Sequence, residues 1–185
     1  MVDFKPVGDS QITLTELMVP TNSNFGGKIH GGYILRLMDQ VAFACASRHS
    51  GNYCVTASVN KVDFLHPVEV GELLTLKASI NYTGNTSMVV GVRVESENVR
   101  TGTIHHCNSS YFTMVAKNEF GSNTKVPGLI LYSKDGVRRY VRSLKRQEHV
   151  KMRANRFKEE AFVAKDFVKM LENKNVKLNL NSENI

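Results

Sequence analysis

The chain has 185 residues, 42% of them hydrophobic and 22% charged, with 13 Gly, four Pro and a formal charge of +7. That is the composition and length of one globular domain with a sizeable core. No apolar run nears the ~20 residues that a membrane-spanning helix needs, and the N-terminus lacks the basic-then-apolar layout of a secretory signal, so a cytoplasmic protein with no integral membrane association is expected.

The charge is not spread evenly. Residues 1–133 hold ten Lys/Arg against ten Asp/Glu, whereas residues 134–185 hold fourteen against seven. The basic excess therefore belongs to a C-terminal appendage and not to the body, which weakens a nucleic-acid reading of the net charge. Cys45, Cys54 and Cys107 match no C-x-x-C unit and read as small buried hydrophobes in a reducing compartment.

In chain order, Ile12 to Val19 alternates as a strand, and a Gly- and Asn-rich loop follows from Pro20. From about Gly32 to His49, the residues Ile34, Leu37, Met38, Val41 and Cys45 form one apolar stripe of an amphipathic helix. Four strands follow with no further helix between them: Val55–Leu65, Leu73–Thr83, Thr86–Val99 and Thr103–Val115. Leu74, Leu76, Ala78, Ile80 and Tyr82 share one face of the second, while Met88, Val90, Val92 and Val94 share one face of the third. The Gly84-Asn85 link is a hairpin signal. Strands spanning ~36 Å and a helix of ~27 Å have compatible lengths, so the pattern predicts an α+β unit with an antiparallel sheet wrapped around one central helix.

The expected organisation is a domain over 1–120, a polar linker over 121–132, a basic helical extension over 133–174 and a disordered tail over 175–185. The extension rests on helical spacing of Val137, Tyr140, Val141 and Leu144, and of Phe157, Ala161, Ala164, Val168 and Leu171.

The segment Asn24-(x)5-His30-Gly31-Gly32-(x)6-Asp39 carries the chemistry. Two glycines at a helix start let a ligand approach the first-turn N–H groups, which could hold a carbonyl oxygen that gains negative charge; the same glycines also suit an ordinary turn. Asp39 lies outside the core stripe beside Ala42, Phe43 and Ala46, an apolar setting that suits a general base or a nucleophile; an exposed pair with Arg36 is the plainer alternative. The same apolar residues suggest a second copy packed there, with the Asn24 loop of one chain facing Asp39 of the other. Thr86 and Ser87 could meet a polar ligand or finish a turn. His105 and His106, as neighbours in a strand, point to opposite faces and do not suit one metal ion. There is no P-loop, no G-x-G-x-x-G and no G-x-S-x-G elbow, which removes support for nucleotide, dinucleotide and serine-hydrolase chemistry.

Taken together, Pro20-x-x-x-Asn24-x-x-Gly27-x-x-His30-Gly31-Gly32, Leu37-Met38-Asp39, Val55-Thr56-Ala57, Val62-Asp63-Phe64-Leu65-x-Pro67-x-x-x-Gly71-Glu72 and Ser96-Glu97-Asn98-x-x-Thr101-Gly102 resemble the hotdog-fold acyl-CoA thioesterases, specifically the cytosolic acyl-CoA hydrolase group that includes the brain-type enzyme. The resemblance covers roughly residues 12–116. It implies a double-hotdog homodimer, commonly assembled as a trimer of dimers, with Asn24 and Asp39 of opposite protomers forming the site and no cofactor beyond the coenzyme A of the substrate. On that reading the Gly31 and Gly32 N–H groups hold the oxyanion, Asp39 activates water or attacks directly, and Asn24 positions the water or thioester. Substrate contact is assigned to His30, Thr56 and Ser87, with Lys61 and Arg93 as candidates for the coenzyme A phosphates. Two competing readings are a hotdog hydratase using His30 with Asp39, and an acyl-CoA sensor whose basic tail touches nucleic acid or a membrane surface.

Overall fold

The computed structural model of the chain describes residues 3–159 and 174–176. The chain divides into two compact units, residues 1–144 and 145–185. In the first, β2 (Ile12–Leu17), β3 (Tyr53–Val59), β4 (Leu73–Thr83), β5 (Ser87–Asn98) and β6 (Thr103–Lys117) form a five-stranded sheet in the order β2-β4-β5-β6-β3. All its pairings are antiparallel. The helix α1 (Gly31–Ser50) lies in the concavity of the curled sheet and touches all five strands.

The residues that the alternation and the helical stripe assign to the core are in it. Ile34, Leu37, Met38, Val41 and Cys45 of α1 meet Leu74, Leu76, Ala78 and Ile80 of β4, Met88, Val90, Val92 and Val94 of β5, and Phe112 and Met114 of β6. Each large side chain fully removed from water contributes about 1.5–3 kcal/mol, so this interface is the main source of stability. Cys45, Cys54 and Cys107 are buried free thiols, and burial pushes Cys45 up to about 12, which makes it a poor nucleophile.

The helix is delimited by its own sequence. His30 is the N-cap, in extended conformation, and its ring Nδ1 accepts the Gly32 N–H. Gly51 closes the other end in the left-handed region at φ 69, with its N–H on the Ser47 carbonyl at 2.9 Å.

Three differences from the sequence reading have clear physical reasons. First, β3 ends at Val59 instead of Leu65; beyond it the chain leaves the ladder, held to β6 by Asn60 N–H on the Tyr111 carbonyl, the Ser110 hydroxyl on the Asn60 carbonyl and Leu65 N–H on the Cys107 carbonyl. Second, the register of β4 on β5 shifts between Ile80 and Tyr82, so the extra residue Asn81 turns Tyr82 to the outer face. There Tyr82 meets Tyr140 of α2 (Lys134–Glu159), with ring centroids 5.2 Å apart. Third, the stretch read as a linker contains β7 (Gly128–Ile130), which pairs in parallel with β1 (Phe4–Pro6). A Cβ on Gly128 would lie 2.4 Å from the Phe4 ring, so a larger residue there would make that exposed ring turn aside.

The β1–β7 pair is tied to the end of α1 through His49. The ring is fully buried, Nε2 donates to the Pro127 carbonyl at 3.1 Å, Nδ1 accepts from the Ser10 hydroxyl at 3.3 Å, and Lys5 Nζ donates to the His49 carbonyl. Burial holds this imidazole below its ordinary range.

The described part of the second unit is the remainder of α2, residues 145–159, and residues 174–176. Ala161, Ala164, Val168 and Leu171 lie outside the described residues, as does most of the expected disordered tail. No helix among the described residues is long and apolar enough to cross a membrane.

Candidate active site

The site builds from the turn at Gly51. After it, β3 runs back along α1, and the two rises decide which residues face each other: the eleven steps from Asp39 to Ser50 and the five from Gly51 to Thr56 both span about 16 Å. Thr56 accordingly donates its hydroxyl to Asp39 Oδ1 at 2.5 Å. The same hydroxyl oxygen is 3.5 Å from Met114 Sδ, and the register break at Ala57 follows directly after Thr56. Asp39 is thus fixed by a hydroxyl seventeen residues away and not by Arg36.

The expected burial of Asp39 among Ala42, Phe43 and Ala46 is not found in the single chain, where the carboxylate is exposed. The sheet wraps far enough round α1 to cover Ala42 and Ala46 completely, and it leaves Phe43 partly exposed. The open apolar surface beside Asp39 comes instead from Phe43 and Tyr53, whose rings meet edge-on at 5.6 Å. With Gln40, Cys54, Val55 and Thr56 they line a groove of about 350 Å³ that has the Asp39 carboxylate in its wall. β3 is an edge strand, so this groove opens along an unpaired sheet edge.

Asn24 stands on a tight loop before α1. Its Oδ1 accepts the N–H groups of Gly26 at 2.9 Å and Lys28 at 3.2 Å, which leaves the Nδ2 group to face a ligand. At the helix start, the two glycines are not equivalent. The Gly32 N–H is already taken by His30 Nδ1 at 3.0 Å, so the free oxyanion donor expected there is absent in this state. Gly31 has no such partner among the described residues, and the Phe64 ring lies 3.2 Å from where a Cβ on Gly31 would stand. A methyl at 31 would make the half-exposed Phe64 ring give by a little, so glycine there fits closely as well as opening the backbone.

The other predicted contacts fall elsewhere. Ser87 stands one residue before Met88, which faces the core, so it points to the opposite face of the sheet, where its Oγ sits against the Gly84 turn. Arg93 is likewise on the outer face, with Nε on Glu95 Oε1 at 2.7 Å, and Lys77 followed by Arg93 holds the Glu95 carboxyl below its ordinary range. Lys61 is exposed and pairs with Asp63 at 2.9 Å. His105 stacks on His66 with centroids 4.0 Å apart, while His106 Nε2 bonds the Asn108 carbonyl and Ser109 Oγ. The two histidines thus have separate partners, and among the described residues no group of three His, Cys, Asp or Glu could hold a metal ion.

Within one chain the parts cannot act on one carbonyl. Gly31 and Asp39 are eight helical steps apart, about 12 Å along the axis, whereas a reacting carbon needs both groups within about 3 Å. The arrangement works if Asp39 and Thr56 of one chain meet the Asn24 loop and helix start of another.

Comparison with known proteins gives the family. Residues 26–103 match the model of the thioesterase superfamily. The chain is 46% identical over 139 residues to protein VdlD of Helicobacter pylori, an alignment spanning 75% of this chain and 79% of VdlD. Among solved structures, an apo-hexameric acyl-CoA thioesterase superposes with TM-score 0.81 at 37% identity, covering 83% of this chain and 98% of the other. An acyl-CoA hydrolase of Staphylococcus aureus, solved in complex with butyryl coenzyme A, coenzyme A and coenzyme A disulfide, superposes with TM-score 0.77 at 27% identity, covering 91% and 99%. That enzyme has been characterised with an asparagine, an aspartate and a threonine each replaced by alanine, at positions separated by 15 and 17 residues. Asn24, Asp39 and Thr56 have the same separations here.

Proposed function

Since this chain belongs to the thioesterase superfamily, we propose that it hydrolyses acyl-CoA to a free carboxylic acid and coenzyme A, at a site shared between two copies. The observation that carries the reading is Asp39, oriented by the Thr56 hydroxyl at the mouth of an apolar groove. Thr56 occupies Oδ1, so Oδ2 is the oxygen left to take a proton from water. The hydroxide adds to the thioester carbonyl, and the Gly31 N–H of the other copy stabilises the oxygen as it gains charge. Collapse of the tetrahedral species breaks the C–S bond, and the coenzyme A sulfur takes the proton held by Asp39, which returns the carboxylate to its starting form. The Asn24 amide of the other copy donates Nδ2–H to the thioester or orients the water. This chemistry calls for no cofactor beyond the coenzyme A of the substrate.

The assembly is a homodimer with two equivalent sites, and a hexamer of three dimers fits the hexameric neighbour. The test is release of free thiol from acyl-CoAs between acetyl and palmitoyl, with wild type and Asp39→Ala side by side. A positioned base contributes about 10²–10⁴-fold, and a loss of that size in the variant is expected. Because Asp39 is exposed in the single chain, the variant keeps its fold. Full activity in Asp39→Ala, or no thiol release by the wild type, would remove this reading.

A further inference from the structure

Phe25 is the most exposed large apolar side chain among the described residues, at 114% of its reference area. Its exposure is imposed by the loop. Besides the two N–H groups that Asn24 Oδ1 accepts, the Asn24 N–H bonds the Lys28 carbonyl at 2.7 Å and the Gly27 N–H bonds the Asn24 carbonyl at 3.0 Å, with Gly27 at φ 74. Bridges from Ser23 to Ile29 and from Lys28 to Glu69, together with the Lys28–Glu69 ion pair, close the base of the loop. A ring carried on so constrained a turn cannot fold back onto its own chain. An aromatic side chain buries about 150–250 Å² when covered, which gives a strong drive for something else to cover it.

The groove beside Asp39 has the complementary deficit. Phe43 and Tyr53 make one aromatic wall, Tyr53 is 62% exposed, and the groove is open at the unpaired edge of β3. Phe43 is one helical turn beyond Asp39, about 6 Å along the axis, and Phe25 follows Asn24 directly, with Cα atoms ~3.8 Å apart. An Asn24 loop seated over Asp39 of another copy therefore carries Phe25 within reach of that copy's Phe43 and Tyr53.

We propose that Phe25 of each chain enters the groove of the other, against Phe43 and Tyr53, and that the three rings close the acyl end of the site and set the length of acyl chain accepted. The inference rests on the reading that Asn24 and Asp39 meet across two copies. The ring from one chain is the part of the wall that the other chain lacks, so chain-length selection belongs to the dimer and not to the single fold.

The test compares kcat/KM over acyl-CoAs from acetyl to palmitoyl for wild type, Phe25→Ala and Phe25→Trp, with sedimentation of each. Removing the ring moves the optimum to longer chains, and enlarging it moves the optimum to shorter ones. One methylene in a pocket changes discrimination by about 10–200-fold, so the long-to-short ratio should change at least about tenfold. An unchanged profile in both variants overturns the proposal, even if the dimer weakens, because Phe25 would then be an interface contact only. Both variants should fold, since the ring touches nothing in its own chain's core. A second readout needs no activity: a mixture of Phe25→Cys and Phe43→Cys chains is oxidised and examined for disulfide-linked dimers above the level of either variant alone. Their formation supports the contact, and their absence overturns it. A wild type inert towards every acyl-CoA whose cysteine variants still cross-link would sink the hydrolase reading and leave the contact standing.

Discussion

Replacing Thr56 by Val removes one oxygen and keeps the shape of the side chain, so it asks what the hydroxyl on Asp39 does. In the single chain both residues are exposed, and a hydrogen bond there nets about 0.5–1.5 kcal/mol at most, because water replaces it. Thermal stability should therefore hardly move. During the reaction, the other copy and the bound thioester exclude water, and a hydrogen bond to a charged group is then worth about 1.5–3 kcal/mol. At 1.36 kcal/mol per decade, kcat falls about 10- to 100-fold. KM for a good acyl-CoA should stay within about twofold, since an interaction made with Asp39 is not uniform binding energy for the substrate. The assay is continuous thiol release with Thr56→Val and Thr56→Ser, paired with thermal melts. Serine restores the donor and should recover most of kcat. A full-rate Thr56→Val enzyme, or a loss that serine does not repair, would refute the positioning role; a large loss of stability in place of activity would show that Thr56 serves the β3–β6 edge instead.

Mixing Asn24→Ala and Asp39→Ala chains, each inactive alone, should restore about a quarter of wild-type activity after subunit exchange, since half of the dimers are mixed and each mixed dimer carries one intact site; no recovery with exchange demonstrated by mass spectrometry would place both residues in one chain's site. Gly31→Ala should lower kcat more than it lowers stability, because its methyl meets the half-exposed Phe64 ring, and adding Phe64→Leu should relieve the clash; a pure stability defect would count against a role for the Gly31 N–H. His49 is held neutral by burial, so the unfolded state binds a proton that the folded state resists. Stability is accordingly full above about pH 6.5 and declines as pH falls below it towards the depressed folded value; His49→Gln should flatten that decline in melts run from pH 7.5 to 5, and an unaltered slope would show that other groups set it.

What the sequence settled by itself is what depends on local period. The stripe of Ile34, Leu37, Met38, Val41 and Cys45 and the inward residues of β4 and β5 are each set by the geometry of one element, so the helix-in-sheet architecture was legible before any long-range contact was known. Asp39 stood out for the same reason, as a carboxylate off the stripe. Its partner Thr56 was assigned to substrate contact and not to Asp39, although the matching rises of α1 and β3 across the Gly51 turn would have paired the two. The bulge at Asn81 lay beyond reach, because one extra residue inverts a face without altering the composition of the strand. So did the β1–β7 pair, which joins segments 124 residues apart, and the capture of the Gly32 N–H, which depends on one rotamer of His30. The burial of Ala42 and Ala46 was decided by how far the sheet curls, a collective property of five strands. Periodicity reports the surroundings that a residue's own element creates. The chemistry of this site arises where separate elements, and separate chains, converge, and only the tertiary structure fixes those distances.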